Sequence, residues 1–190
     1  MCDGSQEYWL CLEPDPHLVD RIQGLIEQRL LPPCCEVKVG SLASLEATNL
    51  FDTIIYIDVL EHIEADRNEL QLACNFLSSN GRLIVLSPAY QWLYTEFDRN
   101  IGHCRRYNRR SLLAITPKPL QCLKIFHLDS VGLLASIGNK LFLRSSMPSH
   151  QQIKFWDSSM IPLSKLFDGL ISYSAGRSVI GILEKSNTSS

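Results

Sequence analysis

Between Tyr8 and Pro88 short apolar runs alternate with amphipathic stripes, and this order limits the fold more than any other feature of the chain. "YWLCL" (Tyr8 to Leu12) stops at Glu13-Pro14-Asp15-Pro16, which reads as a strand, a turn and a helix entry. Asp15 is placed to cap the helix, with Pro16 at its first position. Leu18, Ile22, Leu25 and Ile26 keep a 3.6-residue stripe through Arg29-Leu30, and Pro32-Pro33 ends it, since proline has no N–H to continue the ladder. "CEVKVG" alternates as a second strand, and Asp52 to Asp58 forms a third whose continuous apolarity suggests cover on both faces. Leu70 to Leu77 make another helical stripe, closed by "SSNG", before "RLIVLSP" as a fourth strand. Such alternation predicts an α/β fold, a parallel sheet with helices on both faces and ligands at the carboxyl ends of the strands.

The rhythm changes after Pro88. Asn108 reads as an N-cap, with Tyr107 and Leu112 spaced for a hydrophobic staple, and a short helix follows. "LQCLKIFHL" reads as a strand, Ser130 to Leu143 as an apolar helical region, Leu163 to Ile171 as further helix and "SVIGILEK" as a last strand. Strands near 8–12, 35–39, 52–58, 82–87, 120–128 and 178–184 are expected to form one sheet, the last two as antiparallel neighbours. A single domain is expected over residues 1–185, with a polar tail at 186–190.

With 190 residues and 45% hydrophobic content, the chain can bury a sizeable core. Eighteen Lys and Arg against twenty Asp and Glu give a net charge of −2, so no global basic field exists to attract nucleic acid. "GHCRRYNRR" is one short basic cluster without a recognised nucleic-acid motif. Seven cysteines, odd in number, without a C-x-x-C and mostly in apolar runs, fit buried thiols in a reducing cytoplasm. No signal pattern opens the chain, and Val131 to Leu143 is too short to span a bilayer. Oligomeric state is not legible.

Taken together, four stretches resemble the class I S-adenosylmethionine-dependent methyltransferases: "LCLEPDP", "VGSLASL", "YIDVLEHI" and "LSSNGRLIVLSP". "FDRNIGHCRRYNRRSL" further resembles the segment after the fifth strand in a branch whose members often accompany glycosyltransferases. The resemblance covers most of the chain. It implies a Rossmann-like methyltransferase sheet with an antiparallel C-terminal strand, S-adenosylmethionine as cofactor, and methyl transfer to a small-molecule, glycan or lipid-linked acceptor. On the cofactor side it implies Glu13 for the ribose diol, Ser41 and Leu42 for adenine, and Asp58, Val59 and Leu60 against the methionine part. On the acceptor side, "YQWLYTEFD" and "GHCRRYNRR" look like a lid carrying Trp92, Tyr94, Arg105 and Arg106, with His103 as proton acceptor.

Each position also has a plainer reading. Glu13 is then a helix-entry carboxylate, the turn after Gly40 only ends a strand, Glu61 favours a helix start, and His103 with the arginines merely holds a loop. Asp58, Glu61 and His62, at i, i+3 and i+4, would share one helical face if the helix began early, offering two oxygens and an imidazole to a metal. No second ligand cluster accompanies them, and no metal is assigned.

The resemblance breaks at its most diagnostic element. The family opens with a strand, a glycine-rich E/D-x-G-x-G-x-G loop and a helix, a unit of roughly thirty residues or more. "MCDGSQE" cannot supply it, so the chain is expected to be N-terminally truncated relative to the family, with the first strand and glycine-rich loop missing and cofactor binding weakened. The alternative is a non-catalytic remnant or interaction protein that retains the fold. A nucleotide-dependent oxidoreductase is unsupported, because no G-x-G-x-x-G follows any strand.

Overall fold

In the computed structural model, residues 7–46, 48, 50–138, 140 and 156–186 are described, and Cys2, Leu143 and the tail 187–190 lie outside them. The chain forms two compact units, Met1–Asn49 and Leu50–Ser190.

In the first unit, β1 (Trp9–Glu13) and β2 (Cys35–Val39) pair in parallel, connected through α1 (Pro16–Glu27). Asp15 caps α1 as expected: its Oδ1 accepts the His17 N–H at 2.9 Å, and proline opens the helix. The helix ends before the two prolines. Arg29 turns into the left-handed region at φ 57°, and the N–H groups of Arg29 and Leu30 fold back onto the Ile26 and Leu25 carbonyls. Leu42 is the buried hydrophobic residue of this unit among those described, while Leu18 and Leu25 stay exposed, because two strands and one helix have little apolar surface with which to cover the stripe.

The second unit holds β3 (Phe51–Ile57), α2 (Asp66–Phe76), β4 (Leu77–Pro88), α3 (Glu96–Asn100), α4 (Arg109–Ile115), β5 (Leu120–Leu128), α5 (Ser130–Gly138), α6 (Ile161–Leu170) and β6 (Ser178–Lys185). Its four-stranded sheet runs β3-β4-β6-β5, the first pair parallel and the others antiparallel. The antiparallel pairing of β5 with β6 agrees with the sequence reading. The expectation of one continuous sheet does not hold: β1 ladders onto β2 and β3 onto β4, and no described strand joins the two ladders. As the outer strand of its sheet, β3 is also less covered than its apolar run suggests, with Tyr56 buried and Ile57 41% exposed. "SSNG" is a turn held inside β4, because register passes from Phe51↔Leu77 to Thr53↔Arg82 and the intervening residues bulge out, Asn80 at φ 60°.

The core of this unit lies between the sheet and α2 and α4: Leu70, Ala73, Cys74 and Phe76 from α2, Leu83 and Val85 from β4, Leu112 from α4, and Val179 and Leu183 from β6. Gly181, on the same face of β6, leaves room for Leu112, whose Cδ2 would sit 2.9 Å from any added Cβ. Cys74 is buried, but Cys104 and Cys122 are exposed, which corrects the expectation of generally buried thiols: apolar neighbours along the chain do not decide which face a residue takes. No helix among the described residues is long and apolar enough to cross a membrane.

Asn108 caps α4 through a reciprocal pair, its Oδ1 accepting the Ser111 N–H at 2.9 Å and Ser111 Oγ accepting the Asn108 N–H at 2.8 Å. Asn108→Ala should therefore lose about 0.5–2 kcal/mol in urea unfolding, and Asn108→Asp should retain most of it. Equal losses for both variants would show that the cap is not what stabilises this turn.

Candidate functional site

Strand direction assembles the site. Parallel β3 and β4 finish at the same end of the sheet, and antiparallel pairing of Pro88 with Ser178 and of Leu128 with Ser178 brings the start of β6 and the finish of β5 there too. A cleft of about 380 Å³ opens at that end, lined by Asp58, His62, Pro88, Phe97, Asp98, Ile101, His103, Arg106, Asp129, Arg177 and Ser178.

Asp58 N–H donates to the Leu86 carbonyl at 3.0 Å, extending the β3 ladder, and then Asp58 adopts φ 51°, a conformation aspartate tolerates better than most residues. The chain enters a 3-10 turn over Leu60–His62, and α2 waits until Asp66. The early helix start that would have put Asp58, Glu61 and His62 on one face is therefore not formed. The turn sends Leu60 and Glu61 fully inward and leaves His62 exposed. Ser87 Oγ donates to Glu61 Oε2 at 3.0 Å, while Glu61 Oε1 is buried without a hydrogen-bond partner. Burial pushes the Glu61 carboxyl up to about 7, against the opposing hydrogen bonds from its own backbone and Ser87. Burial also raises Asp58, with His103 and Arg177 opposing.

The facing side is organised by Asp98, fully buried in α3. Its carboxylate accepts from Arg106 Nε at 2.8 Å and Nη2 at 3.0 Å, from Thr95 N at 2.8 Å, and lies 3.0 Å from His103 Nδ1. Burial raises Asp98, but the Arg106 and Thr95 hydrogen bonds outweigh it and hold the carboxyl below the usual range. An ionised Asp98 accepts from His103 Nδ1–H, which leaves Nε2 as the lone-pair nitrogen, 3.8 Å from Glu61 Oε1. Burial pushes the His103 imidazolium down, with Asp98 opposing. Backbone bonds pin this segment in place: Cys104 N–H donates to the Glu61 carbonyl at 2.7 Å and Tyr94 Oη to the His103 carbonyl at 2.6 Å. Tyr107 is buried, and its hydroxyl donates to Asp66 Oδ2 at 2.7 Å.

Of the residues singled out in the sequence, Asp58, His62, His103 and Arg106 meet at the cleft. Trp92, Tyr94 and Arg105 do not line it. The 3-10 turn at Gln91–Leu93 buries Leu93 and leaves Trp92 54% exposed, Tyr94 spends its hydroxyl on His103, and the Arg105 guanidinium is engaged by Asp66 at 2.6 Å and the Glu64 carbonyl at 2.9 Å. Leu60 is a core residue, so its side chain faces packing, whereas Val59 is 42% exposed. Glu13, Ser41 and Leu42 belong to the first unit. Glu13 Oε1 accepts the Asp15 N–H at 2.9 Å, and Gly40 (φ 141°) could carry no side chain, since Ser44 Oγ occupies the space. Asp98, Asp129 and Arg177 were missed. Thr95-x-x-Asp98 is a legible capping pattern. Arg177 precedes the last strand, and only knowing that strand to be antiparallel places it at the site.

No protein-family model and no curated protein matches the chain. Solved structures do. A proposed sarcosine dimethylglycine methyltransferase from Galdieria sulphuraria aligns over 95% of this chain and 70% of its own, at 16% identity and a TM-score of 0.62. The proposed methyltransferase solved with the Haloferax volcanii Trm112 methyltransferase activator aligns over 100% of this chain and 76% of its own, at 9% identity and a TM-score of 0.63. N-methyltransferase NodS from Bradyrhizobium japonicum WM9, in complex with S-adenosyl-L-homocysteine, aligns over 94% and 66% respectively, at 11% identity and a TM-score of 0.53. At these identities the likeness establishes the fold: the chain has the α/β architecture of the class I S-adenosylmethionine-dependent methyltransferases.

Proposed function

We propose that the chain is a methyltransferase acting on a small polar acceptor, of the hydroxyl-rich kind found in glycans and lipid-linked saccharides, held in the cleft at the end of β3. The observation that carries this reading is the Asp98–His103 pair on the wall of that cleft, with Nδ1 held at 3.0 Å and Nε2 left to accept a proton. Carboxylates and guanidinium groups both line the cleft, which suits an acceptor with hydroxyl or ionised groups and not an apolar one.

S-adenosylmethionine, when bound, supplies an electrophilic methyl group on a positively charged sulfur. Within the first unit, Glu13 accepts the Asp15 N–H with one oxygen and would offer the other to a ribose diol, with Ser41 and Leu42, after Gly40, as the residues for an adenine. Val59 and the backbone of Leu60 follow Asp58 at the end of β3, where a ligand would approach. Arg106 and Asp98 orient His103, and His103 Nε2 would take the proton of an acceptor hydroxyl. A second reading, a binding module without turnover, is favoured by the separate β1–β2 and β3–β4–β6–β5 sheets among the described residues.

Calorimetry with S-adenosylmethionine, paired with label transfer from methyl-labelled cofactor to hydroxylated acceptors, tests the proposal. Weak binding that Glu13→Ala weakens further is expected, since several backbone hydrogen bonds at about 0.5–1.5 kcal/mol each are not provided by a glycine-rich loop. Micromolar binding indifferent to Glu13→Ala would reject the ribose assignment. Binding with no label transfer to any acceptor would favour the second reading.

A further inference from the structure

We propose that Glu61, His62 and His103 form a site for a divalent transition metal of the zinc class. Each side chain offers one ligand atom, and the three atoms lie within 4.8 Å of one another. The set differs from the single-face arrangement suggested by sequence spacing, because His103 comes from the segment after α3 and replaces Asp58.

Three observations point to a cation. First, Glu61 is fully buried, and while Ser87 satisfies Oε2, Oε1 has no hydrogen-bond partner and faces His103 Nε2 at 3.8 Å, too long for a hydrogen bond. A buried carboxylate oxygen in that position is costly unless a proton or a positive charge completes it. Second, Asp98 holds His103 Nδ1 at 3.0 Å, which fixes the tautomer with Nε2 presented to Glu61. Metal-ligating histidines typically donate their other ring N–H to a carboxylate in this way. Third, the His62 and His103 rings converge edge to face, with centroids 4.6 Å apart at 80°, an arrangement in which two imidazoles can share one ion. Two nitrogens and one oxygen suit zinc, with a fourth position for water or another ligand, whereas calcium and magnesium favour sites richer in oxygen. Zinc bonds of about 2.0–2.1 Å need neighbouring ligand atoms roughly 3.3 Å apart, so the exposed His62 would close in by about an ångström or more.

Metal on Nε2 occupies the lone pair that the proposed function uses for proton transfer. Occupancy should therefore inhibit methyl transfer. That consequence rests on the proposed function, whereas metal binding itself does not.

Cobalt(II) titration of the full chain with its cysteines alkylated provides the test. One equivalent should give d–d absorption without a thiolate charge-transfer band, and zinc should displace it. His62→Ala, a change to an exposed side chain that leaves the fold intact, and the near-isosteric Glu61→Gln should each weaken binding at least about tenfold, and Asp98→Asn about 10- to 100-fold. No d–d absorption, or absorption unchanged by His62→Ala, overturns the proposal. Metal binding by a chain that transfers no methyl group supports the metal site and counts only against the proposed function.

Discussion

Asp98→Ala is expected to remove about 3–5 kcal/mol of folding stability, the cost of stranding one member of a buried ion pair. Asp98 is fully buried and the Arg106 side chain is 9% exposed, so only water entering from the cleft could stand in for the lost carboxylate. Arg106 would lose both contacts from its Nε and Nη2, and Thr95 would lose the acceptor for its N–H at the start of α3. Asp98→Asn should cost less, because the amide oxygen still accepts. Asp98→Leu combined with Arg106→Met should also cost clearly less than the two single changes added together, since neither charge is then left unpaired. Urea midpoints for these variants, and for Asp98→Leu and Arg106→Met singly, measure this. A loss below about 1 kcal/mol for Asp98→Ala would mean that the pair contributes no more than a surface salt bridge.

His103→Gln should lower methyl transfer about 10²- to 10⁴-fold, the usual contribution of a positioned proton acceptor, while leaving the affinity for S-adenosylmethionine unchanged. Glutamine keeps polarity near the ring's position, so the Asp98–Arg106 pair can persist, but its amide is a very weak base. Added imidazole should restore part of the rate by entering the space left by the ring. Single-turnover label transfer with and without imidazole, alongside cofactor calorimetry, separates proton transfer from binding. A variant with full transfer rate would remove His103 from the chemistry and leave it a residue that anchors the segment between α3 and α4.

Much of the fold was legible because its signals are local. Alternation of apolar residues marks strands, Asp15 and Asn108 bond to N–H groups a few residues ahead, and the Asp52–Asp58 run places Asp58 at a strand's carboxyl end whatever surrounds it. None of these depends on a distant partner. Periodicity alone did not carry the division of the strands into two sheets, because it depends on which ladders find an edge to join, and the period within a strand is the same whether its edge is paired or bare. The site followed the same rule. Asp58 and His103 carried a sequence signal, but only tertiary structure set Glu61 Oε1 opposite His103 Nε2, gave both oxygens of Asp98 to Arg106, and turned Trp92 and Arg105 away from the cleft. Arg177 and Asp129 reach it solely because β6 and β5 run antiparallel to their neighbours, so that the start of one strand and the finish of the other meet at the end where β3 and β4 stop. Sequence by itself determined which segments become strands and helices, since those choices rest on hydrogen bonds and side-chain periods within a few residues. Which charges face one another was decided by the pairing of segments far apart in the chain, where the cost of burying a carboxylate or guanidinium depends on what the rest of the fold brings beside it.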